Sequence, residues 1–356
     1  MFVFVGTYTR TSSEGIYVLR MDESTGELSH VSRVGGVANP SFVALNPAGT
    51  VLYAVAEVAN ENGEGAASVT AYSIDRNAGI LTRINTQSTG GPGACHLQVD
   101  ATASYVCIAN YHGGSVAMLP LNEDGSIEPL SHFIQHEGSS VNERRQERAH
   151  AHSFNIDPTN TFGFVPDLGQ DKIVTYRLDF ENGKLLPGDP PFIASSAPGA
   201  GPRHFDYHPN GELVFIINEL GNTITSYRYD SSAGMLAEIE SVPTLPDGWS
   251  GDNSTADVHV SPDGRFVYGS NRGHDSLVIY EVDQATGGMS YVGHESTRGE
   301  TPRNFGIDPS GQFLLAANQG TDNIVSFKRD QSTGKLEATG AEIEVPMPVC
   351  LKFLAG

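Results

Sequence analysis

Short segments of alternating hydrophobic and polar residues, separated by tight turns, follow one another along the whole chain. A typical unit has one strand-like segment, a turn rich in Asn, Asp, Gly or Pro, and a second strand-like segment. An alternation with a period of two is typical of a half-buried β-strand. Pro presets its own φ, and Asn, Asp and Gly tolerate the left-handed conformation that turns need. The pattern therefore predicts an all-β protein.

This hairpin is repeated six times. The copies lie at 39–57, 93–111, 149–168, 201–220, 255–273 and 301–319, and their turn positions are 54, 57, 51, 53 and 47 residues apart. A second hairpin, with an acidic residue and a Gly turn, lies between successive copies, so each repeat has four strands in about 50 residues. That spacing is typical of a β-propeller blade.

The two chain ends supply a seventh repeat. The C-terminal "MPVCLKFLAG" matches the first strand of a unit, and the N-terminal "MFVFVGTY" matches the second. Joining them in one blade leaves no exposed sheet edge. We therefore predict one domain over residues 1–356: a seven-bladed β-propeller with four antiparallel strands per blade, closed by the N- and C-terminal strands.

Charge limits the possible partners. The chain has 21 Lys and Arg against 42 Asp and Glu, a formal net charge of −21. Such a surface repels nucleic acid and anionic lipid, so we expect neither as a partner. An anionic small substrate would need a local cluster of arginines, because screening over about 8 Å makes local charge decisive. The sequence does not fix the oligomeric state, and we expect a monomer or a weak homo-oligomer.

The cysteines and the N-terminus indicate a cytoplasmic protein. The three cysteines form no CxxC pair and give no disulfide framework, which suits a reducing compartment. The first residues lack the basic region of a signal peptide. No apolar run approaches the roughly 18 residues of a membrane span. We therefore expect a cytoplasmic protein without a membrane segment.

Polar residues gather at one end of the predicted hairpins. In a propeller the first strand of each blade lines the central channel, so first-strand starts and second-strand ends should meet at one mouth of that channel. There we predict four catalytic residues, His152, Arg203, Glu219 and Arg272, because charged groups gathered from several strands suit catalysis and anion binding. The predicted substrate-binding residues at the same mouth are His96, Tyr111, His150, His204, Arg303, Gln319 and Glu57. For any one of these residues a structural role, as a backbone partner or in an ion pair, is equally open.

Three neighbouring features are less specific. His150 and His152 would face the same way on a strand and could bind a metal, but no third ligand has suitable spacing. We predict no metal and no cofactor. The charged insertion at 137–148 is interpreted as a solvated loop, although it could bring Arg144, Arg145 or Arg148 to an anion. His208 is interpreted as structural, and the role of His204 stays open because adjacent strand residues face opposite ways.

Several of these segments together resemble the seven-bladed lactonase family. This family includes the bacterial propeller-type 6-phosphogluconolactonases and the fungal carboxy-cis,cis-muconate cyclases. The resemblance covers essentially the whole chain. The matching segments are "FVGTYT", "NYHGGSV", "HAHS", "VPDLGQD", "GPRHFDYHP", "NEL", "DVHVSPDGRFVYGSNRG" and "TPRNFGIDPSGQFLLAANQ".

The resemblance implies lactone chemistry at the channel mouth without a required metal. In the cyclase branch the pocket is thought to use a histidine, two arginines and a glutamate, which match His152, Arg203, Glu219 and Arg272 here. Glu219 or His152 would then activate water, and the arginines would bind the oxyanion or an anionic substrate group. Glu219 could equally be an ion-pair partner that only orients Arg203.

The substrate that the resemblance favours is a small anionic lactone, 6-phosphogluconolactone, opened to 6-phosphogluconate in the pentose phosphate pathway. Two alternatives remain open at this point. The pocket could serve a muconate-type lactonising cyclase or another sugar lactonase, or the protein could be a non-catalytic propeller that binds a ligand or a protein.

Overall fold

The alternating segments form β-strands throughout the chain. A computed structural model describes residues 1–57, 65–195 and 197–355, and these residues form twenty-eight strands and no helix. Consequently none of the described segments is a helix that could cross a membrane.

The strands form seven sheets of four strands each. The first three sheets are β28 (Pro348–Leu354), β1 (Phe2–Thr7), β2 (Ile16–Met21) and β3 (Leu28–Val34); β4 (Val43–Leu45), β5 (Val51–Ala56), β6 (Ser68–Asp75) and β7 (Ile80–Ser88); and β8 (Ala94–Val99), β9 (Tyr105–Asn110), β10 (Ser115–Pro120) and β11 (His132–Gln135).

The other four sheets follow the chain order without interruption. They are β12 (Asn155–Ile156), β13 (Phe162–Asp167), β14 (Lys172–Asp179) and β15 (Lys184–Ala194); β16 (Pro202–Tyr207), β17 (Leu213–Asn218), β18 (Thr223–Asp230) and β19 (Met235–Pro243); β20 (Ser254–Val260), β21 (Phe266–Arg272), β22 (Ser276–Val282) and β23 (Met289–Ser296); and β24 (Pro302–Ile307), β25 (Phe313–Asn318), β26 (Asn323–Arg329) and β27 (Leu336–Glu344).

Two predictions about the architecture are confirmed. The chain is a seven-bladed β-propeller with four antiparallel strands per blade, and the N-terminal β1 lies between the C-terminal β28 and β2 in one blade. The first strand of every unit is an edge strand of its sheet, as the repeat predicts. The single-domain organisation stays a prediction.

By its internal contacts the chain divides into two compact units. One comprises residues 1–5, 19–30 and 203–356, and the other comprises 6–18 and 31–202. In the first unit, Phe215, Ile217 and Val267 belong to one apolar cluster packed between blades. In the second, Phe154 and Val165 belong to a corresponding cluster. All five residues are fully buried, and every position of β17 is buried, so this strand is covered on both faces.

The turn of each first hairpin is closed by the side chain that begins it. Asp157 accepts the backbone N–H groups of Thr161 and Phe162, each at 2.7 Å. His208 occupies this position in its own blade, where its Nδ1 accepts the Asn210 N–H at 3.1 Å and its Nε2 donates to the Gly264 carbonyl at 2.7 Å. The interpretation of His208 as structural is therefore confirmed.

A second recurring device, absent from our predictions, lies just before the third strand of five blades. Here one residue adopts a left-handed conformation, and its carbonyl accepts the first backbone N–H after the fourth strand. In Asp275 and Asp322 the carboxylate also accepts a backbone N–H, from Thr301 and Met347 respectively, each at 2.8 Å. The start of one blade's third strand thus holds the segment that leads into the next blade. The five residues are Gly114, Asp171, Asn222, Asp275 and Asp322.

Asp171 makes the most extensive version of this contact. Its two carboxylate oxygens accept the backbone N–H groups of Gly199 at 2.6 Å and Gly201 at 2.7 Å. They also accept the Gln146 amide at 2.7 Å and the Ser140 hydroxyl at 2.5 Å. One buried carboxylate therefore fixes both the 137–148 insertion and the segment that precedes β16.

Candidate active site

Three of the four predicted catalytic residues meet at a single carboxylate oxygen. Arg203, the second residue of β16, donates from Nε to Glu219 Oε2 at 2.9 Å. Arg272, at the end of β21, places its Nη2 3.1 Å from the same oxygen. Glu219 directly follows β17, so the first hairpin and the next blade bring the three groups together. A carboxylate between two planar guanidinium groups is a strong, orienting arrangement.

Backbone carbonyls hold the two arginines in place. Arg203 Nη1 donates to the Ala256 carbonyl, and Arg272 Nη2 donates to the Thr255 carbonyl at 2.7 Å. Both acceptors lie in the irregular part of β20, where its register against β21 shifts between Thr255 and Val258. A bulge of this kind re-aims the backbone next to a site.

Arg203 is buried among like charges. Only 1% of the residue is exposed. Burial, together with the neighbouring charges of Arg303 and Arg272, lowers the pKa of Arg203 to about 9, against the opposing effect of Glu219. The side chain stays protonated at neutral pH, and the excess of positive charge around it would stabilise a further negative group. Arg303 occupies in β24 the position that Arg203 occupies in β16 and is half-buried.

Next to Arg203, His204 belongs to a second buried network. Its Nδ1 lies 2.6 Å from Oδ1 of Asp257 on β20. Oδ2 of Asp257 lies 3.1 Å from His259 Nε2 and accepts the Asn304 amide. The other ring nitrogen of His259 lies 3.5 Å from Asp206 Oδ2. Arg203 and His204 are thus both directed towards β20, although they are adjacent on one strand.

Charges in this network favour an ionised Asp257 and a protonated His259. Burial opposes ionisation of Asp257, but the His259 and His204 rings hold its pKa well below the usual value. Burial also acts against a charged His259, yet the Asp257 and Asp206 carboxylates raise the pKa of His259 to about 10. Burial and then the charge of Arg203 lower the pKa of His204 to about 4. At neutral pH, His259 is therefore charged and His204 is neutral.

This distribution gives the first prediction, on stability at alkaline pH. The folded-state pKa of His259 lies above the usual value of 6.5, so its contribution is full below pH 6.5 and is lost as pH rises towards 10. We expect the melting temperature of the wild type to fall between pH 7 and 10 more steeply than that of His259→Gln. His132→Gln, at a histidine that accepts the Leu185 N–H, is the control and should keep the wild-type slope. Equal slopes in all three proteins would contradict the prediction.

A separate group surrounds Tyr111 in the second unit. The Tyr111 ring stacks on His150 with 4.6 Å between centroids and meets the His152 ring edge-on at 5.2 Å. Its hydroxyl accepts a hydrogen bond from Arg145 Nη2 at 3.2 Å. The interpretation of the 137–148 insertion as merely solvated is wrong for Arg145, which is half-buried, and for Gln146, which is fully buried. Three predicted residues and one arginine of the insertion are thus brought together.

His150 and His152 do not lie on a regular strand. β12 is only two residues long and starts at Asn155, and Ala151, between the two histidines, forms an isolated antiparallel bridge with Asp167. The Asp167 carboxylate also accepts the His150 N–H at 2.7 Å. His150 Nδ1 lies 3.0 Å from the Tyr111 carbonyl and its Nε2 lies 3.2 Å from Glu147. Among the described residues, no group of three or more His, Cys, Asp and Glu side chains is arranged to hold a metal ion.

The remaining predicted residues make other contacts. His96 packs on the Phe42 ring and its Nδ1 accepts the Phe154 N–H at 3.3 Å, and Glu57 lies 4.0 Å from Arg10. Gln319 donates its backbone N–H to the Thr301 carbonyl at 3.0 Å. Their role in substrate binding stays a prediction.

Sequence reasoning gave too little weight to Asp257 and His259. These residues are two apart in "DVHV" on β20, so their side chains share one face of the strand. The same spacing argument that we applied to His150 and His152 would have selected them.

Comparison with known proteins places this chain in a class. The family described as "Lactonase, 7-bladed beta-propeller" matches residues 2–353. A 6-phosphogluconolactonase of Bacillus subtilis is 40% identical over 351 residues, which cover 99% of this chain and 97% of the relative. A 6-phosphogluconolactonase of Formosa agariphila is 37% identical over 86% of each chain. The solved structure of a Pseudomonas aeruginosa periplasmic gluconolactonase superposes with a TM-score of 0.94 at 34% identity, covering 99% of both chains.

The chain therefore belongs to the seven-bladed β-propeller lactonase family, as its motifs indicated. It is a lactonase, an enzyme that opens a cyclic ester.

Proposed function

We propose that this protein hydrolyses 6-phosphogluconolactone to 6-phosphogluconate at the site built around Arg203, Glu219 and Arg272. The observation that carries the proposal is the buried carboxylate between two guanidinium groups, with Arg303 close enough to affect the pKa of Arg203. The names of the two curated relatives support the substrate. A place in the pentose phosphate pathway, a location in the cytoplasm and a pocket at the channel mouth are parts of the same proposal.

The arginines can bind the two negatively charged groups of this reaction, the oxyanion and the substrate phosphate. Opening a lactone creates an oxyanion at the carbonyl carbon, and the proposed substrate also carries a phosphate. Guanidinium forks donate two parallel hydrogen bonds to groups of this kind. Donors that are fixed before the reaction stabilise the developing charge without reorganising. We assign this work to Arg203 and Arg272, with Arg303 as a binding group.

Glu219 is best suited to orienting the two arginines. Its Oε2 is shared by Arg203 and Arg272, and two adjacent cations favour the ionised carboxylate over its protonated form. Of the two roles left open for Glu219, the contacts favour the orienting one over that of general base. His152 stays a predicted catalytic residue of the same proposal.

A different sugar lactone is the main alternative, since the Pseudomonas aeruginosa neighbour is a gluconolactonase. The test follows acid release from 6-phosphogluconolactone and from glucono-δ-lactone, each corrected for hydrolysis in buffer. We expect the wild type to exceed buffer with both and to prefer the phosphorylated one. A preference for glucono-δ-lactone would replace the proposed substrate, and rates no better than buffer with either would overturn the proposal.

The site assignment is tested by exchanging one arginine for lysine. Arg203→Lys keeps the positive charge but loses the planar fork, and we expect kcat/KM to fall about 10²- to 10³-fold. Arg329 is the matched control, since its side chain is 1% exposed against 2% for Arg203 and pairs with a carboxylate, Asp263, at 2.8 Å. Arg329→Lys should leave kcat/KM within threefold of wild type. Equal activities for the two variants would remove Arg203 from the site.

A further inference from the structure

The hydrogen bonds of Asp257 determine which nitrogen of His204 carries the proton. Asp257 is 2% exposed, and its carboxylate faces His204, His259, the Asn304 amide and the Phe305 N–H. An ionised carboxylate only accepts hydrogen bonds. His204 Nδ1, 2.6 Å from Asp257 Oδ1, must therefore be a donor. In the neutral ring this leaves Nε2 as the acceptor.

Asp257 is itself held firmly. Its backbone N–H donates to the Ser270 hydroxyl at 3.0 Å, and the charged His259 ring is oriented by Asp206 on its far side. The His259 ring and the Asn304 amide therefore hold the carboxylate that orients His204. A carboxylate placed behind Nδ1 sets the ring orientation and stabilises the imidazolium when Nε2 takes a proton.

His204 is also placed where an anionic lactone would bind. The charges of Arg203 and Arg303 both act on its ring, and a tenth of its side chain is exposed, so water can reach it. Counting Arg203, Arg272, Arg303 and His259 against Glu219, Asp257 and Asp206 leaves one excess positive charge around the ring. A bound anion would offset this charge and make His204 a stronger base than in the free enzyme.

We propose that His204 is the general base of the hydrolysis, with Asp257 as its positioning residue. This inference rests on the proposed function and adds a residue to it. Nε2 takes a proton from water while the water oxygen forms a bond to the lactone carbonyl carbon, which gives a tetrahedral oxyanion. The bond from that carbon to the ring oxygen then breaks, and the leaving alkoxide receives the proton from Nε2. The products are one hydroxy acid and the neutral His204 imidazole, which is regenerated unchanged.

The test compares His204→Gln, His204→Ala and Asp257→Asn with wild type on the substrate that wild type hydrolyses best. Glutamine can still donate to Asp257 and keep the network folded, but it has no basic nitrogen. We expect kcat to fall about 10²- to 10⁴-fold in both His204 variants, the range of general acid–base catalysis, with KM and the product Kd within threefold. Asp257→Asn should lower kcat in the same direction. His208→Gln, at a buried histidine bonded to the Gly264 carbonyl, should keep kcat.

Rescue by imidazole separates the base from a merely structural residue. Free imidazole should restore rate to His204→Ala in proportion to the neutral imidazole concentration, and should not restore it to Arg203→Ala. In wild type, kcat/KM should decline as pH falls towards 4, and this decline should be absent in His204→Gln. The charged groups that act on the ring and set this range are Arg203, Asp257 and Arg303, and His259 contacts the other oxygen of Asp257.

Two results would overturn the proposal in distinguishable ways. If His204→Gln keeps kcat within threefold of wild type, or loses only affinity, His204 is not the base and the proposed function stands. If wild type is no faster than buffer with either lactone, the proposed function fails and the base role fails with it.

Discussion

Glu219→Ala should lose about 3–5 kcal/mol of folding stability and most of the lactonase activity. The substitution leaves Arg203 and Arg272 facing each other without the carboxylate that both contact. Removing one partner of a buried ion pair has a cost of this size because the remaining charge stays desolvated. Chemical denaturation gives the change in stability, and acid release from the lactone gives the change in kcat/KM, which we expect to be at least about 100-fold.

Asp263→Ala is the matched control for this experiment. It removes the partner of Arg329, another buried arginine, and should destabilise the protein without lowering kcat of the folded fraction. If the two variants lose activity equally, the loss in Glu219→Ala would reflect unfolding alone. If Glu219→Ala is as stable as wild type, the pair is not buried as described.

Asp171→Ala should have the second largest effect, because four hydrogen bonds end on this one carboxylate. Hydrogen bonds to a charged group are worth about 1.5–3 kcal/mol each and are not additive. We expect a loss of roughly 3–5 kcal/mol. The backbone also opposes alanine here, since φ at Asp171 is 53° and few residues other than Gly, Asn and Asp adopt that region readily.

The activity of Asp171→Ala should fall as well, although Asp171 is no part of the proposed chemistry. Gly201, one of its partners, lies two residues before Arg203. Asp322→Ala, at the equivalent position with φ 55° and a bond to the Met347 N–H, controls for the backbone strain. It should be destabilised less and should keep kcat. Comparable losses of kcat in both variants would contradict the role of Asp171 in holding the strand that carries Arg203.

The blades could be predicted because their determinants are local. Alternation sets the strands, and Asp, Asn, Gly and Pro set the turns within a few residues of one another. The contact between Arg203 and Glu219 could also be inferred, since both lie at the open end of one hairpin. Even Asp171 and Asp275 carried a local signal: each follows a glycine by two residues and directly precedes the third strand of its blade.

What could not be predicted depends on contacts between distant segments. Arg145 lies in an insertion without any periodic pattern, and it contacts Tyr111 next to Gln146, which is anchored on Asp171. The orientation of His204 towards Asp257 depends on an irregularity in β20, another strand in another blade. Side-chain direction on a regular strand predicted the opposite of what Arg203 and His204 do together.

The blade that contains both chain ends has a consequence for biosynthesis. Of the strands described here, β1 leaves the ribosome before all the others and its partner β28 leaves after all the others. One edge of β1 therefore stays unpaired during translation, when an open strand edge can recruit other chains. Pairing of such remote segments is also slow, because the loop-closure entropy must be met before the contact forms. We expect the synthesis of β28, rather than the formation of any earlier blade, to set the time at which the enzyme becomes active.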